Sequence, residues 1–166
     1  MKRQQAAINR FMGEGMADIV IRKAVAADIL PLGNMLEQSW FAHWGPHVSA
    51  ESRARFVREH PARGYAQACW QDIMVAELNG AVVGMYHLDR PYLHSIHVAV
   101  DHIGSGIGRA MMTRAEGEGA RRLEVRAFNE RARHFYERRG WLAMGQKDDT
   151  EMGTPVVTIQ MALAEA

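Results

Sequence analysis

Residues Leu93 to Arg109 read L-H-S-I-H-V-A-V-D-H-I-G-S-G-I-G-R. The first half, Leu93–Val100, carries Leu93, Ile96, Val98, Ala99 and Val100 and predicts a buried strand. Glycines come next at 104, 106 and 108, and a helix-forming series continues from Arg109. Glycine at a strand-to-helix turn lets backbone approach a ligand closely, because no Cβ intervenes. The unpaired N–H groups of such a loop and helix start favour an anion, most often a phosphate. The stretch therefore predicts a strand–loop–helix unit that holds a phosphate-bearing ligand.

Upstream, Ile19–Lys23 reads as a first strand. Ile29, Leu32, Leu36 and Trp40 recur near helical spacing and predict a helix over Ala27–Phe41, with Pro31 tolerated in its first turn. Trp40, Phe41, His43, Trp44 and His47 come next and read equally as an acceptor-pocket lining or as a cover over the core. Helices are expected over Ser49–His60 and Arg63–Trp70, with Pro61 interrupting. Asp72–Leu78 and Ala81–Leu88 are strands around Asn79-Gly80, the strongest short hairpin signal in the chain. Asp89-Arg90-Pro91 then turns into the quoted stretch.

Downstream, Arg109–Glu118 continues as helix and Leu123–Ala127 is a strand. Asn129 is a credible N-cap for a helix over Glu130–Arg139, which Gly140 ends. Trp141–Gly145 begins a strand, Lys147–Thr154 reads as a polar loop, and Pro155–Leu163 is the last strand. This order predicts a mixed α/β domain around one sheet of about seven strands flanked by helices. The connection from Leu93–Val100 through its helix to Leu123–Ala127 should be a right-handed parallel crossover.

The chain has 166 residues, which fits one domain with a proper core. Residues 16–166 are read as that domain and residues 1–15 as an N-terminal extension, with Met16 an alternative start. Net charge is +1, so no global field argues for nucleic acid or membrane. A lone cysteine, Cys69, excludes an internal disulfide and fits a cytoplasmic setting. No apolar run reaches the roughly 18 residues of a membrane span, and no metal is expected.

Two commoner nucleotide loops fail on spacing. A phosphate-binding P-loop needs Gly-Lys-Ser/Thr, but Gly108 is followed by Arg109 and Ala110. A dinucleotide fingerprint needs a third glycine where Arg109 stands, and it should come after an early strand rather than a three-strand meander. A purely structural turn remains open at this point.

Two signatures at the right separation change that. The first is Ile103-Gly104-Ser105-Gly106-Ile107-Gly108 at the end of the fourth strand; the second is Asn129, Ala132, Phe135-Tyr136 and Gly140-Trp141. Together, over about Ile19 to Leu163, the chain resembles the GNAT superfamily of acyl-CoA-dependent N-acyltransferases. One departure is Ile103, which stands where the family usually has Arg or Gln.

The resemblance implies a GNAT fold and acetyl-CoA as co-substrate. It implies that Ile96, His97 and Val98 end a strand that splays from Leu123–Ala127 and pairs through backbone with the pantetheine arm. The N–H groups of Ile103–Arg109, namely Ile103, Gly104, Ser105, Gly106, Ile107, Gly108 and Arg109, would cradle the pyrophosphate. Arg109, or the cluster Arg133, Arg138 and Arg139, would add charge. Asn129 would form the second lip, and Tyr136 would protonate the leaving thiolate. Family members often carry a Glu at the position of Tyr92. With Tyr there, His94, two residues on, is the first choice of general base, and Glu77, His87 and Asp89 are alternatives. The acceptor would be a primary amine of a small molecule or peptide. The rival reading is a GNAT-fold protein that binds acyl-CoA without turnover, as a sensor or structural module. Homodimerisation through Trp141–Gly145 and Pro155–Leu163 is one use of those strands and core packing the other.

Overall fold

The computed structural model describes residues 18–164. The extension expected at residues 1–15, and Met16, lie outside the described residues. Seven strands form one sheet: β1 (Ile19–Lys23), β2 (Ile73–Leu78), β3 (Ala81–Asp89), β4 (Tyr92–Val98), β5 (Arg122–Arg126), β6 (Trp141–Glu151) and β7 (Thr154–Leu163). Their spatial order is β1-β2-β3-β4-β5-β7-β6. Among the described residues, five α-helices complete the fold, with four short 3-10 turns beside them: α1 (Ile29–His43), α2 (Ala50–Glu59), α3 (Pro61–Cys69), α4 (Ile107–Gly117) and α5 (Glu130–Glu137). No helix among the described residues is long and apolar enough to cross a membrane.

The meander β1 to β4 is antiparallel throughout. Its tightest turn is Asn79-Gly80, with φ of 50° and 81°, the left-handed pair that a two-residue hairpin requires. β4 and β5 are parallel, and α4 is the crossover between them. One core lies between the sheet and α4, where Ile107, Met111, Met112 and Ala115 form the buried stripe. The Ile and Met side chains each contribute about 1.5–3 kcal/mol by leaving water. Gly84 on β3 lets α4 sit this close, since a Cβ there would stand 2.8 Å from Met111 Cε. A second core, on the other face, joins Leu32, Met35 and Leu36 of α1 and Ala66 of α3 to Ile73, Val75 and Met85.

Two features of β4 open the middle of the sheet. First, it pairs with β5 only at Tyr92↔Arg122 and Leu93↔Leu123. Beyond that point the two strands separate. Second, the register with β3 shifts between His87↔Ser95 and Leu88↔Leu93, so His94 is an extra residue. Leu93 and Ile96 consequently both face the α4 core, while Ser95 and His97 turn to α1 and α3.

Several boundaries differ from the sequence reading. The strand predicted over Leu93–Val100 is Tyr92–Val98, and Val100–His102 is a 3-10 turn. The helix predicted from Ala27 begins at Ile29, because Asp28 is bonded by the Arg22 guanidinium and the Val25 N–H and the chain makes a 3-10 turn first. Pro61 opens α3 instead of interrupting a helix, and the left-handed His60 separates α2 from it. The last helix ends at Glu137, ahead of Gly140. The largest correction is the polar loop assigned to Lys147–Thr154. β6 runs on to Glu151, pairing with β7 down to Glu151↔Thr154. It is an edge strand, exposed from Leu142 through Asp148. Backbone pairing holds it, so no apolar alternation marks it in sequence.

Candidate active site

The separation of β4 from β5 opens a cleft with two compartments. One, of about 340 Å³, lies toward the glycine loop and is lined by Ile103, Gly104, Gly106, Gly108, Arg109 and Arg131 among others. The other, of about 410 Å³, lies over the sheet between β4, β5 and the β6–β7 hairpin. Trp44, Ile96, His97, Asn129, Ala132 and Tyr136 line both.

The loop side is built by backbone geometry. Gly104 and Gly106 have φ of 84° and 90°, conformations that cost an L side chain about 1–2 kcal/mol. Ser105 turns its hydroxyl to the His102 carbonyl, closing the loop on itself. Gly106 is the N-cap of α4 and has no side chain to satisfy the helix. The first helical N–H that finds a loop carbonyl is that of Ala110, 3.0 Å from Gly106 O. The N–H groups of Ile107, Gly108 and Arg109 therefore lead the helix without backbone partners. An anion placed there meets donors and the positive end of the helix dipole. Gly108 lies against β4, where an added Cβ would stand 3.4 Å from Val98 Cγ2.

The free edge of β4 supplies a second set of donors. The Ala99 N–H bonds Val83 O at 2.8 Å, on the β3 side. Alternation along an extended strand then turns the N–H and C=O of Val98 and Ile96 to the opposite edge, into the cleft. The set Ile103–Arg109 together with Ile96 and Val98 thus lies along one side of the opening. These groups fit a ligand with a phosphate end and an amide-bearing arm.

Asn129 and Tyr136 come from the opposite lip. Asn129 caps α5, its Oδ1 accepting the Ala132 N–H at 3.3 Å. Tyr136 is 8% exposed, and burial holds its phenol well above the ordinary value. Its hydroxyl has no hydrogen-bond partner among the described residues and the side chain faces both compartments. A phenol in that state keeps its proton at neutral pH and is a donor, not a base.

Of the arginines considered for phosphate, Arg109 and Arg138 line the loop side. Arg139 instead pairs with Glu116 at 2.6 Å, beside the Trp141 indole, and Arg133 lies along α5 toward Glu137. Arg131 also joins the lining.

Of the candidate bases, His94 lies on the sheet side, 42% exposed, with Nε2 4.0 Å from Asp89 Oδ2. Glu77 is tied to Arg22 at 2.7 Å on the far side of β3 and does not reach the cleft. His87 shares a hydrogen bond between its Nδ1 and the Tyr65 hydroxyl. Asp89 is 81% exposed in the turn and is not among the lining residues. His97 turns from the α4 core toward α1, where its Nδ1 meets Ser39 Oγ at 3.0 Å. Burial, with a smaller contribution from His43, lowers its pKa to about 4.

The aromatic stretch divides. Trp40 is core, stacked on Phe56 at 3.8 Å, with its indole N–H on Glu151 at 2.8 Å. Trp44 lines the cleft and lies 5.5 Å from the His97 ring, and His47 stacks on Phe128 at 4.5 Å.

One group of residues has no role in the sequence reading of an acyl-CoA site. Glu124, Arg126, Asp149, Glu151 and Thr158 line the sheet side. Arg126 donates to Glu151, Asp149, Thr158 and the Thr150 carbonyl. The Thr150 N–H and then Arg126 hold the Asp149 carboxyl at about 2. These residues are brought together only because β6 is a full-length strand. A loop over residues 147–154 would not have aimed Asp149 and Glu151 at Arg126.

Sheet order, splayed strands and glycine loop define a GNAT-type fold. Residues 31–141 match the family model described as Acetyltransferase (GNAT) family, and the chain belongs to that family. Its fold is similar to the apo form of YjaB from Escherichia coli, with a TM-score of 0.76 at 23% identity, covering 89% of this chain and 99% of that one. It is also similar to the PaiA N-acetyltransferase of Thermoplasma acidophilum in complex with coenzyme A, with a TM-score of 0.63 at 19% identity over 88% and 99% of the two chains. YncA from Salmonella typhimurium, solved with its cofactor acetyl-CoA, superposes with a TM-score of 0.62 at 18% identity over 89% and 95%. No curated protein sequence matches the chain.

Proposed function

We propose that this protein is an N-acetyltransferase that moves the acetyl group of acetyl-CoA to a primary amine of a small molecule or peptide, by direct attack in a ternary complex. The observation that carries the reading is the opening of β4 from β5 after Leu93, with the free α4 N-terminus at one end and the unbonded Tyr136 hydroxyl across from it. Solved neighbours of this fold hold coenzyme A or acetyl-CoA, which supports the same co-substrate here.

In this reading the N–H groups of the Ile103–Arg109 loop hold the pyrophosphate. Arg109, Arg131 and Arg138 add positive charge. The exposed edge at Ile96 and Val98 pairs with the pantetheine amides as an added strand. Asn129 fixes the second lip. The acceptor amine, as the free base, attacks the thioester carbonyl carbon. The C–N bond forms, negative charge develops on the carbonyl oxygen, and the Val98 N–H stabilises it. The C–S bond then breaks, and Tyr136 gives its proton to the departing thiolate. The amine proton leaves to His94, directly or through water.

The experiment is thiol release from acetyl-CoA over a panel of amines, comparing wild type with Tyr136→Phe. Release that depends on both amine and Tyr136 supports the proposal. Acetyl-CoA binding with no release across the panel favours a non-catalytic acyl-CoA sensor, a reading that Ile103 and Tyr92 leave open by departing from the family pattern. Absence of CoA binding overturns both.

A further inference from the structure

The two compartments of the cleft differ in charge. The loop side is lined by Arg109, Arg131 and Arg138 and, among the described residues, by no carboxylate. The sheet side is lined by the carboxylates Glu124, Asp149 and Glu151, with Arg126 its one Lys or Arg among the described residues. Cations thus gather where phosphates would lie, and anions gather where the acceptor would enter.

Arg126 offers a ligand no hydrogen bond, because its donors are taken up within the protein. A guanidinium has five N–H donors. Nε donates to Glu151 Oε2 at 3.0 Å. Nη1 donates to Asp149 Oδ2 at 2.7 Å and to Thr158 Oγ1. Nη2 donates to Glu151 Oε2 at 2.8 Å and to the Thr150 carbonyl at 3.3 Å. All five donors are engaged, so none is left for a carboxylate on a substrate. Lys147 takes Glu124 Oε1 at 2.8 Å, which leaves three carboxylates against two cations.

The compartment also holds a group that points to a ligand independently of its acids. Tyr136, more than nine-tenths buried, has a hydroxyl with no partner among the described residues and faces this same space. Trp44 and Tyr92 add aromatic rings, which attract a cation over their faces.

We infer that the amine acceptor carries a second cationic amine, as a diamine or linear polyamine does, and that Glu124 receives it, while Asp149 and Glu151, whose oxygens already accept from Thr150, Arg126, Thr158 and Trp40, add negative charge beside it. The inference rests on the transferase reading above and deepens it. One amine, deprotonated, is acetylated beside Tyr136; the other stays an ammonium and is held against the carboxylate wall. A free amino acid is disfavoured, since its carboxylate would face a wall with one carboxylate in excess and no open guanidinium.

The test uses three acceptors of equal chain length that differ at one end: 1,4-diaminobutane, n-butylamine and 4-aminobutanoate. Thiol release from acetyl-CoA is expected to rank them in that order, with kcat/KM about ten-fold higher for the diamine than for butylamine, the worth of one charge-assisted hydrogen bond. Glu124→Gln should narrow the diamine-to-butylamine ratio, mainly through KM. Diamine binding to the CoA-saturated protein, followed by calorimetry, gives a readout independent of turnover. Tight diamine binding without thiol release would overturn the diamine as acceptor and leave the carboxylate wall as a cation-binding site only. Turnover with no preference for the diamine, or a preference for 4-aminobutanoate, would overturn the assignment and keep the transferase. Neither diamine binding nor diamine turnover would also overturn the assignment.

Discussion

Ser39 Oγ on α1 and His97 Nδ1 on β4 lie 3.0 Å apart, a hydrogen bond that ties the helix over one face of the sheet to the strand bordering the cleft. Burial lowers the pKa of that imidazole to about 4, from an ordinary value of 6.5. The unfolded chain therefore takes up a proton below pH 6.5 that the folded chain refuses until about pH 4. Stability from this site is complete above pH 6.5 and is lost as pH falls toward 4. Urea unfolding at pH 7.5 and pH 5 should show this loss, and His97→Gln should reduce it. An identical pH dependence in the variant would reject the assignment. His43 and His87, lowered by the same cause, act in the same direction.

Tyr136→Phe should lower kcat for thiol release by roughly 100-fold, at the lower end of what a general acid contributes. Coenzyme A affinity and Tm should barely move, because the hydroxyl has no partner among the described residues. Burial keeps the phenol protonated above its usual range, so wild-type kcat should show no alkaline fall from this group below pH 10. A Tyr136→Phe enzyme as fast as wild type would remove the residue from the mechanism.

Gly106→Ala places a Cβ on a residue with φ of 90° at the head of α4. The left-handed conformation costs about 1–2 kcal/mol for alanine. Relaxing it would re-aim the N–H groups of Ile107 and Gly108. Coenzyme A should bind about ten-fold more weakly by calorimetry, with helix content unchanged in circular dichroism. Unchanged affinity would mean that the loop does not hold the phosphates.

Arg126→Gln should disconnect β5 from the far half of β6. Asp149 and Glu151 would lose their shared cation, and Tm should drop. The Asp149 carboxyl, held at about 2 by the Thr150 N–H and by Arg126, should rise part of the way toward its ordinary value, because the Thr150 bond remains. Asp149 then contributes less stability that can be lost on acidification, so the variant's Tm should depend less steeply on pH below 4. A carboxyl-carbon NMR titration of Asp149 in both proteins reads the shift directly.

Glycines and caps carried most of what could be read from sequence alone. Gly104, Gly106 and Asn79-Gly80 announce their conformations because other residues resist them. Asn129 announces a helix start because its side chain replaces a missing backbone acceptor. These are local effects, and local effects show in short windows. The carboxylate wall is different. Arg126 and Glu151 are 25 positions apart and meet only through the strand order β5-β7-β6. Nothing local marks such a pairing, and the charged run that ends at Glu151 looks like solvated loop. His97 is named for its backbone, but the face its side chain takes is hidden for a related reason. With one residue inserted in β4, counting by twos no longer tells which face a side chain takes.

That inserted residue has a geometric consequence. Bulges bend the strand that contains them, and β4 leaves β5 directly after Leu93, where His94 is the unpaired position. Removing His94 would not move Leu93, Ser95, Ile96 or His97 to a new face; it would restore plain alternation. What it would remove is the bend. β4 could then continue beside β5, with the backbone groups of Ile96 and Val98 bonded to β5 instead of facing an opening. The capacity to admit a ligand at the centre of the sheet thus goes with a difference in residue count: over the stretch where the two strands pair, β4 has one amino acid more than β3.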